Sequence, residues 1–272
     1  MKTRTTKLPR TEEIELRAIR ANAGLKQWYQ SQLQCLIESM ARSMLLHIQA
    51  VYPEVHDIGF GVDADPIVAL RRAMTKWGKR WTRNLNNASD RIAAMFAGRA
   101  QKNLDTAFMQ ALRDAGFVVK FKPTAAITQA YRAVIAENVN LIRSIPQKFL
   151  TDVQSSVWES VMKGGKLKEL TRGLKKTYGV TWRRAELIAR DQNNKAKAIM
   201  EEARRNELGI DQATWQHSHA GKIARPTHVA MHGKRYDIAK GMYDPAVKKF
   251  VWPGSEINCR CSSRSLIPGI EH

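Results

Sequence analysis

The stretch Leu33–Val51, LQCLIESMARSMLLHIQAV, has the hydrophobic pattern of a long amphipathic helix. Its apolar residues recur every three or four positions, which places them on one helix face. They are Leu33, Leu36, Ile37, Met40, Met44, Ile48 and Val51. We expect this helix to run from Thr11 to about Val51, because Pro53 and the glycines near residue 60 break the pattern. Its apolar face must be covered by other elements.

Further helices are predicted on both sides of residue 120. Asp65-Pro66 is typical of a helix start, with the Asp as N-cap, and the helix that follows reaches Asp114 with an interruption near Asn84–Ser89. Gly116 ends it, and Phe117–Phe121 has the composition of a short strand. The remaining helical predictions are residues 124–145, a helix opened by Pro146 that runs to Met162, and, after Gly164-Gly165, residues 167–178 and 182–207.

Composition changes after Gly209, where Gly, Pro, Trp, His and Cys cluster and helical periodicity fades. Short strands or turns are predicted at Ala213–His217, Lys234–Tyr236 and Lys249–Trp252. The expected fold is therefore mainly α, a long helical N-terminal body followed by a small irregular α+β C-terminal module. We expect a basic helical region for partner or DNA docking over residues 1–123, a second domain over residues 124–272, and a His/Cys-rich module at 210–268.

Charge is the first indication of function. The 272 residues contain 45 Lys and Arg against 25 Asp and Glu, a formal net charge of +20. Such an excess favours contact with a polyanion, and neutralised phosphates release counterions and so give affinity without sequence preference. A plain solubility surface is the alternative. No apolar run is long enough for a membrane span, the N-terminal residues lack a secretory signal, and three cysteines make no disulfide framework, so we expect a reducing cytoplasm.

The candidate contact residues lie on the second helix and alternate with two tryptophans. Because Trp77 and Trp81 are four residues apart, they share a helix face, and we expect that face to pack into the core with the basic residues solvated around it. Cationic and aromatic side chains in one segment also suit nucleic-acid or acidic-protein contact. The basic residues are Arg71, Arg72, Lys76, Lys79, Arg80 and Arg83.

Histidines and cysteines are crowded into the C-terminal module. Four of the seven histidines and two of the three cysteines lie between Trp215 and Cys261. Zinc takes four tetrahedral nitrogen or sulfur ligands and stabilises small modules that have thin cores. His228 and His232 would share a helix face, and Cys259 and Cys261 could supply two thiolates, which predicts a structural zinc site. The other two clustered histidines are His217 and His219.

Two alternatives stay open for this cluster. Cys-x-Cys is less diagnostic than Cys-x-x-Cys, so the pair could consist of free or oxidisable thiols. A catalytic metal site would have three protein ligands, a water and a nearby carboxylate, for which Asp237, Asp244 and Glu256 are candidates. The sequence contains no nucleophile elbow, phosphate-binding loop or dinucleotide fingerprint, so we predict no enzyme activity.

The order of motifs in the C-terminal half resembles the phage head morphogenesis domain, the minor head protein family of the phage Mu F-like kind. The resemblance rests on Trp215, a polar turn at 217–222, Arg225-Pro-Thr-His228 followed by Gly233, Pro253-Gly254, and Asn258-Cys-Arg-Cys261. The upstream segments Asn140–Ile145, Arg184–Gln192 and Glu207–Ile210 match as well, so about residues 138–268 are covered. Pro226 and Arg260 belong to the same motifs, and His232 stands where family members often carry Asp.

The resemblance implies a minor head protein of a tailed bacteriophage that acts in head morphogenesis. It implies the portal or major capsid protein and non-specific double-stranded DNA as partners, and a place inside the capsid near the portal after assembly in the host cytoplasm. Arg225, Arg260 and Arg264 would then brace the module or touch phosphate. The rival interpretation is a metal-dependent nuclease or other DNA-acting effector delivered with the genome, in which His217, His219 or His228 provides a ligand or general base. A DNA-binding regulator is a third possibility, without recognisable helix-turn-helix or zinc-finger spacing.

Overall fold

A computed structural model describes residues 13–56, 65–163, 167–219 and 224–268, except for the side chains of residues 51–56, 65–71, 161 and 167. Within these ranges the helices are α1 (Ala23–His56), α2 (Asp65–Asp114), α3 (Ala125–Met162), α4 (Leu167–Glu207) and α5 (Pro226–Ala230). The strands are β1 (Ile14–Glu15), β2 (Gln212–Gln216), β3 (Arg235–Asp237), β4 (Met242–Asp244), β5 (Lys249–Val251) and β6 (Ser262–Ile267). The predicted class, a long helical body followed by a small sheet-containing module, is confirmed.

The four long helices are more continuous than the sequence predicted. The interruption expected near Asn84–Ser89 is absent, because Leu85, Ser89 and Ile92 continue the buried face of α2. Packing of that face outweighs the weak helix propensity of Asn and Ser. Pro146 lies inside α3 and starts no new helix, and α4 is likewise one helix over both segments predicted for it. The predicted break at Gly164-Gly165 lies outside the described residues.

The predicted start of the first helix and the strand predicted at residues 117–121 were both wrong. The first helix begins at Ala23, because Asn22 caps it with a 2.8 Å hydrogen bond from the Leu25 N–H to its Oδ1, and the residues before it form β1. Thr11 itself lies outside the described residues. No strand forms over residues 117–121, where Val118 is 88% exposed, because the segment has no pairing strand.

Glycines end two of the long helices in the same way. At the end of α2, Gly116 has φ 91°, the Phe117 N–H donates to the Leu112 carbonyl at 2.9 Å, and the Gly116 N–H donates to the Arg113 carbonyl. Gly209 repeats this pattern after α4 with φ 66°. Both are Schellman caps, which require the left-handed conformation that glycine adopts without strain. The prediction that Gly116 stops its helix is confirmed, and the change in composition at Gly209 coincides with the end of α4.

The described chain divides into two compact units. The first comprises the described residues within Met1–Leu25, Phe96–Val134 and Arg190–His272, and the second those within Lys26–Met95 and Ile135–Ala189. Both units draw segments from α2, α3 and α4, so neither is a continuous stretch of chain. The division predicted at residue 123 stays a prediction. Among the described helices, none has the length and hydropathy that crossing a membrane requires.

The first unit contains a four-stranded antiparallel sheet in the order β1-β6-β2-β3 and the separate β4–β5 pair. The three strand predictions correspond to β2, β3 and β5, and are confirmed within one residue at each end. The end of α4 is fixed to the sheet by Arg205, which donates to the hydroxyls of Ser263 and Ser265 at 2.9 Å and pairs with Glu201 at 2.7 Å. A buried guanidinium with this many acceptors positions the helix precisely against β6.

The second unit buries apolar side chains from all four long helices in one core. Among them, Met44 and Ile48 come from α1, and Trp77 and Leu85 come from α2. The remaining members are Met40, Ala41, Met74, Phe149, Leu150, Val153, Val157, Leu170 and Leu174. This is the apolar stripe that the helical spacing predicts, although Leu36 is only partly buried and the Val51 side chain lies outside the described part.

Candidate metal centre

His228 lies on α5, a single helical turn that the local sequence starts efficiently. Arg225 precedes a proline and has the extended conformation that this position favours, with φ −75° and ψ 121°. Pro226 occupies the first turn, where its missing N–H costs no hydrogen bond. The Arg225 guanidinium donates to the Ile257 carbonyl at 2.7 Å and so joins α5 to the segment that carries the cysteines. His228 is 2% exposed.

Trp215 forms the wall behind this histidine. It is fully buried on β2, and its ring lies 5.2 Å from the imidazole of His228 at an interplanar angle of 79°. Tyr236 packs on the same indole with a centroid distance of 6.0 Å. These edge-to-face contacts fix the plane of the imidazole, and they explain why the module carries a tryptophan at this point.

The turn before β6 presents both cysteines. Asn258 has φ 60°, and it is held there because its N–H donates to Asp191 at 2.9 Å and its side-chain oxygen accepts from Arg190 at 2.8 Å. Asn is among the few residues that tolerate this conformation. Asn194 also donates to the Cys259 carbonyl at 3.1 Å. Residues of α4 therefore fix the backbone that carries Cys259 and Cys261.

Cys259, Cys261 and His228 form one buried cluster. Their ligand atoms all lie within 4.8 Å of one another. The Nδ1 of His228 is 3.5 Å from the Sγ of Cys259 and 3.8 Å from the Sγ of Cys261. A tetrahedral zinc ion, with Zn–S of about 2.3 Å and Zn–N of about 2.0 Å, separates nitrogen and sulfur ligands by roughly 3.5 Å. The donor set and spacing therefore fit zinc.

Asp244 holds the opposite side of the imidazole. Its Oδ2 lies 3.2 Å from the Nε2 of His228, and its Oδ1 accepts the Ala246 N–H at 2.9 Å. Burial would raise the pKa of Asp244, but the Ala246 N–H and His228 keep that pKa below its usual value. Because Nε2 faces Asp244, Nδ1 is the ring nitrogen that faces the two sulfurs. A carboxylate behind a ligating histidine is the usual outer partner at zinc sites.

The cluster perturbs its own protonation. A hydrogen bond from the Cys261 thiol lowers the pKa of Cys259, despite burial, and His228 acts in the same direction. The same interaction raises the pKa of Cys261, which keeps the shared proton. The hydrogen bond with Cys259 also raises the pKa of His228. One sulfur is thus ready to bind a cation as thiolate, since the thiolate is the metal ligand.

His232 does not join the cluster. Its Nδ1 accepts the His217 N–H at 3.1 Å, and the side chain is exposed. The prediction assumed that residues 228 and 232 share a helix face, but α5 ends at Ala230, and the chain turns through Gly233 with φ 75°. His232 instead lies near His219, with ring centroids 5.5 Å apart, and His219 lies 4.5 Å from His217.

The other residues of the predicted site form contacts elsewhere in the module or lie beside the cluster in the sequence. Glu256 forms a 2.8 Å ion pair with Lys249, and exposed Asp237 accepts the Lys240 N–H, so neither carboxylate faces the cluster. Arg264 pairs with Glu15 at 3.0 Å, which braces the β1–β6 edge of the sheet. Arg260, which separates the two cysteines in the sequence, is partly buried. The described part of the polar turn ends at His219.

The predicted nucleic-acid residues lie on α2 in the second unit. Trp77 is 2% exposed, and the Nε1 groups of Trp77 and Trp81 both donate to the Ser43 hydroxyl, at 3.0 and 3.1 Å. The tryptophans therefore face the interior, as predicted. Four of the basic side chains line an open surface cleft of about 480 Å³, and we call them the α2 stripe: Arg72, Lys76, Lys79 and Arg83. Arg80 is exposed as well, and the side chain of Arg71 lies outside the described part.

Sequence reasoning missed two features of the site. Asp244 was considered only as a catalytic carboxylate, whereas its contact is with the far nitrogen of His228. The supporting residues on α4 were missed because they lie some 65 positions before the cysteines they hold. A long-range contact of this kind leaves no local signal in a single sequence.

Residues 151–264 match the family model described as phage Mu protein F like protein. The chain is also 27% identical over 240 residues to an uncharacterized protein of Haemophilus influenzae, an alignment that covers 86% of this chain. The chain spans about half, 51%, of that relative's length. No solved structure matches the chain. The family match covers α5, β2 to β5 and both cysteines, and the resemblance to the phage head morphogenesis domain that the motif order predicts is confirmed over residues 151–264.

Proposed function

We propose that this chain is a minor head protein of a tailed bacteriophage, associated with the portal or major capsid protein inside the head and in contact with double-stranded DNA. The observation that carries the proposal is the phage Mu F-like domain at residues 151–264. The net charge of +20 supports a position beside packaged DNA. In this role the chain needs no enzymatic activity.

The α2 stripe is the proposed DNA contact. None of its four cations forms an ion pair with any residue that the structure describes, and no carboxylate lines the cleft between them. Arg72 and Arg83 are eleven residues apart, which is about 16 Å along a helix axis. A strand of B-DNA carries one phosphate per roughly 3.4 Å of axis, so a strand presents four or five phosphates over that length. Such cations bind the phosphate groups of the DNA backbone and not the base edges, so the contact gives no sequence preference.

The salt dependence of DNA binding tests this contact. Each phosphate contact contributes about −0.9 to the slope of log K against log salt, so the α2 stripe accounts for a slope of about −3.6. We expect the R72Q/K76Q/K79Q/R83Q variant to lose that part of the slope when fluorescence anisotropy is measured with random-sequence duplexes. The matched control is K102Q/K120Q/K234Q/K240Q, which removes four exposed lysines of the first unit. Equal effects of the two variants would refute the assignment.

A head role requires the protein to be in the particle. Gradient-purified, nuclease-treated heads from the phage that encodes this chain should contain it in far fewer copies than the major capsid protein, as measured by quantitative mass spectrometry. Its absence from heads that contain portal and DNA would contradict the proposal, whatever the outcome of the DNA-binding experiment.

Zinc held by His228, Cys259 and Cys261 is the proposed cofactor. When bound, it would connect α5 to the turn before β6 and stabilise the module, as structural zinc does in other small modules. Asp244 orients the imidazole, Trp215 excludes water from its face, and the α4 contacts hold the cysteine turn. Elemental analysis of the purified chain should find one zinc per chain.

A second candidate, a metal-dependent nuclease, is favoured by one observation. The cluster offers three protein ligands, and catalytic zinc sites keep a fourth position for water or substrate. Burial and the neighbouring histidines lower the pKa of His217, which leaves a neutral imidazole close to the cluster. Nicking of supercoiled plasmid by the zinc-loaded chain, abolished in H217A with zinc content unchanged, would establish this function. Intact plasmid with the loaded protein would exclude it.

A further inference from the structure

A second basic cleft lies in the same unit, on residues that the charge pattern of α2 did not indicate. It has a volume of about 570 Å³ and opens between α1 and the start of α4. We call it the α4 cleft, and its lining residues are Gln49, Lys168, Thr171, Arg172 and Lys175. Three of these five side chains are cations and none is a carboxylate.

The three cations are arranged for a phosphate backbone. Lys168, Arg172 and Lys175 are exposed, and none forms an ion pair with another described residue. They recur at steps of four and three along α4, so they lie on one face over about 10 Å of helix axis. A DNA strand carries roughly three phosphates over that length. The flanking amide of Gln49 is a donor that suits phosphate oxygens.

Contacts within the second unit give the order of its helices. α1 contacts α2, α2 contacts α3, α3 contacts α4, and the α4 cleft closes the circle between α4 and α1. The pairs that establish this order are Ser43 with Trp77, Ser89 with Arg143, Ser144 with Arg184, and Gln49 with the lining residues of α4. In this unit both α2 and α4 turn one face toward the shared core.

The two basic surfaces consequently face different directions. The α2 stripe lies on the side of α2 opposite Met74, Trp77 and Leu85, which point into the core. The cations of the α4 cleft lie on the side of α4 opposite Leu170 and Leu174, which point into the same core. Two packed helices are about 20 Å across, comparable to a DNA duplex, and DNA is stiff over about 150 base pairs. A short duplex seated on one surface cannot reach the other.

We propose that the second unit bridges two segments of double-stranded DNA, one on the α2 stripe and one in the α4 cleft. The inference rests on the proposed DNA contact and extends it from one binding surface to two. Inside a capsid, where duplex segments lie side by side, such a protein would hold neighbouring segments together without reading their sequence.

The test is energy transfer between two 20-base-pair duplexes, one carrying a donor and the other an acceptor, in the presence of the full-length chain. We expect transfer with the wild type and loss of transfer with K168Q/R172Q/K175Q, which should still bind one duplex. The salt slope of that variant should fall by about 2.7, since it loses three phosphate contacts. Light scattering of the complex should give one chain for two duplexes. The control is K102Q/K120Q/K234Q, whose three exposed lysines lie in the first unit.

The outcomes separate this inference from the function on which it rests. If the wild type binds no duplex, the proposed DNA contact itself is wrong. If the wild type binds DNA and loses affinity only in the α2 stripe variant, that contact stands and the bridging inference is overturned. Energy transfer that persists in K168Q/R172Q/K175Q, or a complex with one chain on each duplex, also overturns it, because bridging would then come from self-association.

Discussion

Removal of zinc should weaken the first unit in a way that the geometry of the cluster makes measurable. The perturbation is Cys261→Ser, which removes one of the two sulfurs near His228 Nδ1 and leaves a side chain of nearly the same shape. The wild-type chain treated with a chelator should behave like this variant. Both should lose zinc, and both should unfold at a lower temperature than the untreated wild type.

The size of the effect follows from linkage. Zinc present at 100 times its dissociation constant stabilises the folded form by about 2.7 kcal/mol, provided that the unfolded chain does not bind it. For a unit of roughly 150 residues, each kcal/mol shifts the melting temperature by about 2–4 °C. The expected loss is therefore about 5–11 °C. Differential scanning calorimetry with and without added zinc measures it, and cobalt substitution reports thiolate ligation by its charge-transfer absorption.

Cys35→Ser is the matched control. Cys35 is exposed on α1 and belongs to the second unit, whereas the three cluster residues belong to the first, so this variant loses a thiol without losing a ligand. It should keep one zinc per chain and the wild-type melting temperature. If the wild type contains no zinc and the chelator leaves its melting temperature unchanged, the metal assignment is refuted, and Cys259 and Cys261 are a buried thiol pair that packs against Trp215 and His228.

Three further predictions follow from individual contacts. Asp244→Asn should lower zinc affinity about 10–100-fold in a competition titration with a chromophoric chelator, and unchanged affinity would show that the His228 ring needs no carboxylate partner. Arg204→Met should destabilise the chain by up to about 3–5 kcal/mol in urea unfolding, because it removes a fully buried guanidinium and leaves the partly buried carboxylate of Asp105 without the partner that binds both its oxygens. Arg42→Gln on an exposed ion pair should cost less than about 1 kcal/mol. Trp215→Ala should cost about 3–5 kcal/mol in the same assay, and a loss below about 1 kcal/mol would contradict its role as the wall of the cluster.

Local patterns predicted the helices better than their boundaries. Apolar spacing identified the inner face of α1. On α2, Trp77 and Trp81 were correctly placed on the core side because residues four apart share a face. The breaks expected at Asn84–Ser89 and Pro146 failed, because tertiary packing of a long buried stripe outweighs weak local propensity. β1 could not be predicted from the local sequence, since a strand of two residues exists only through its pairing with β6.

At the metal cluster too, local sequence patterns identified only some of the residues, because the other contacts depend on the tertiary fold. Crowding of soft ligands pointed to His228, Cys259 and Cys261, and the structure brings these three together. The prediction of His232 as the fourth ligand was wrong, because it required a helix that continues beyond the end of α5 at Ala230. Asp244 lies sixteen residues beyond the histidine it orients, on a separate two-stranded sheet. Identifying its role requires the fold, because the sequence alone marks it only as one of several nearby carboxylates.

The candidate metal centre and the two basic surfaces occupy different compact units, so their roles can be separated by mutation. His228, Cys259 and Cys261 belong to the first unit, and the α2 stripe and α4 cleft belong to the second. Loss of zinc should leave DNA bridging intact wherever the second unit stays folded, and loss of the basic surfaces should leave zinc content intact. A variant in one unit that abolished both properties at a temperature where calorimetry shows the other unit folded would mean that the two sites act as one. The proposed division between a zinc site in the first unit and DNA bridging by the second unit would then be refuted.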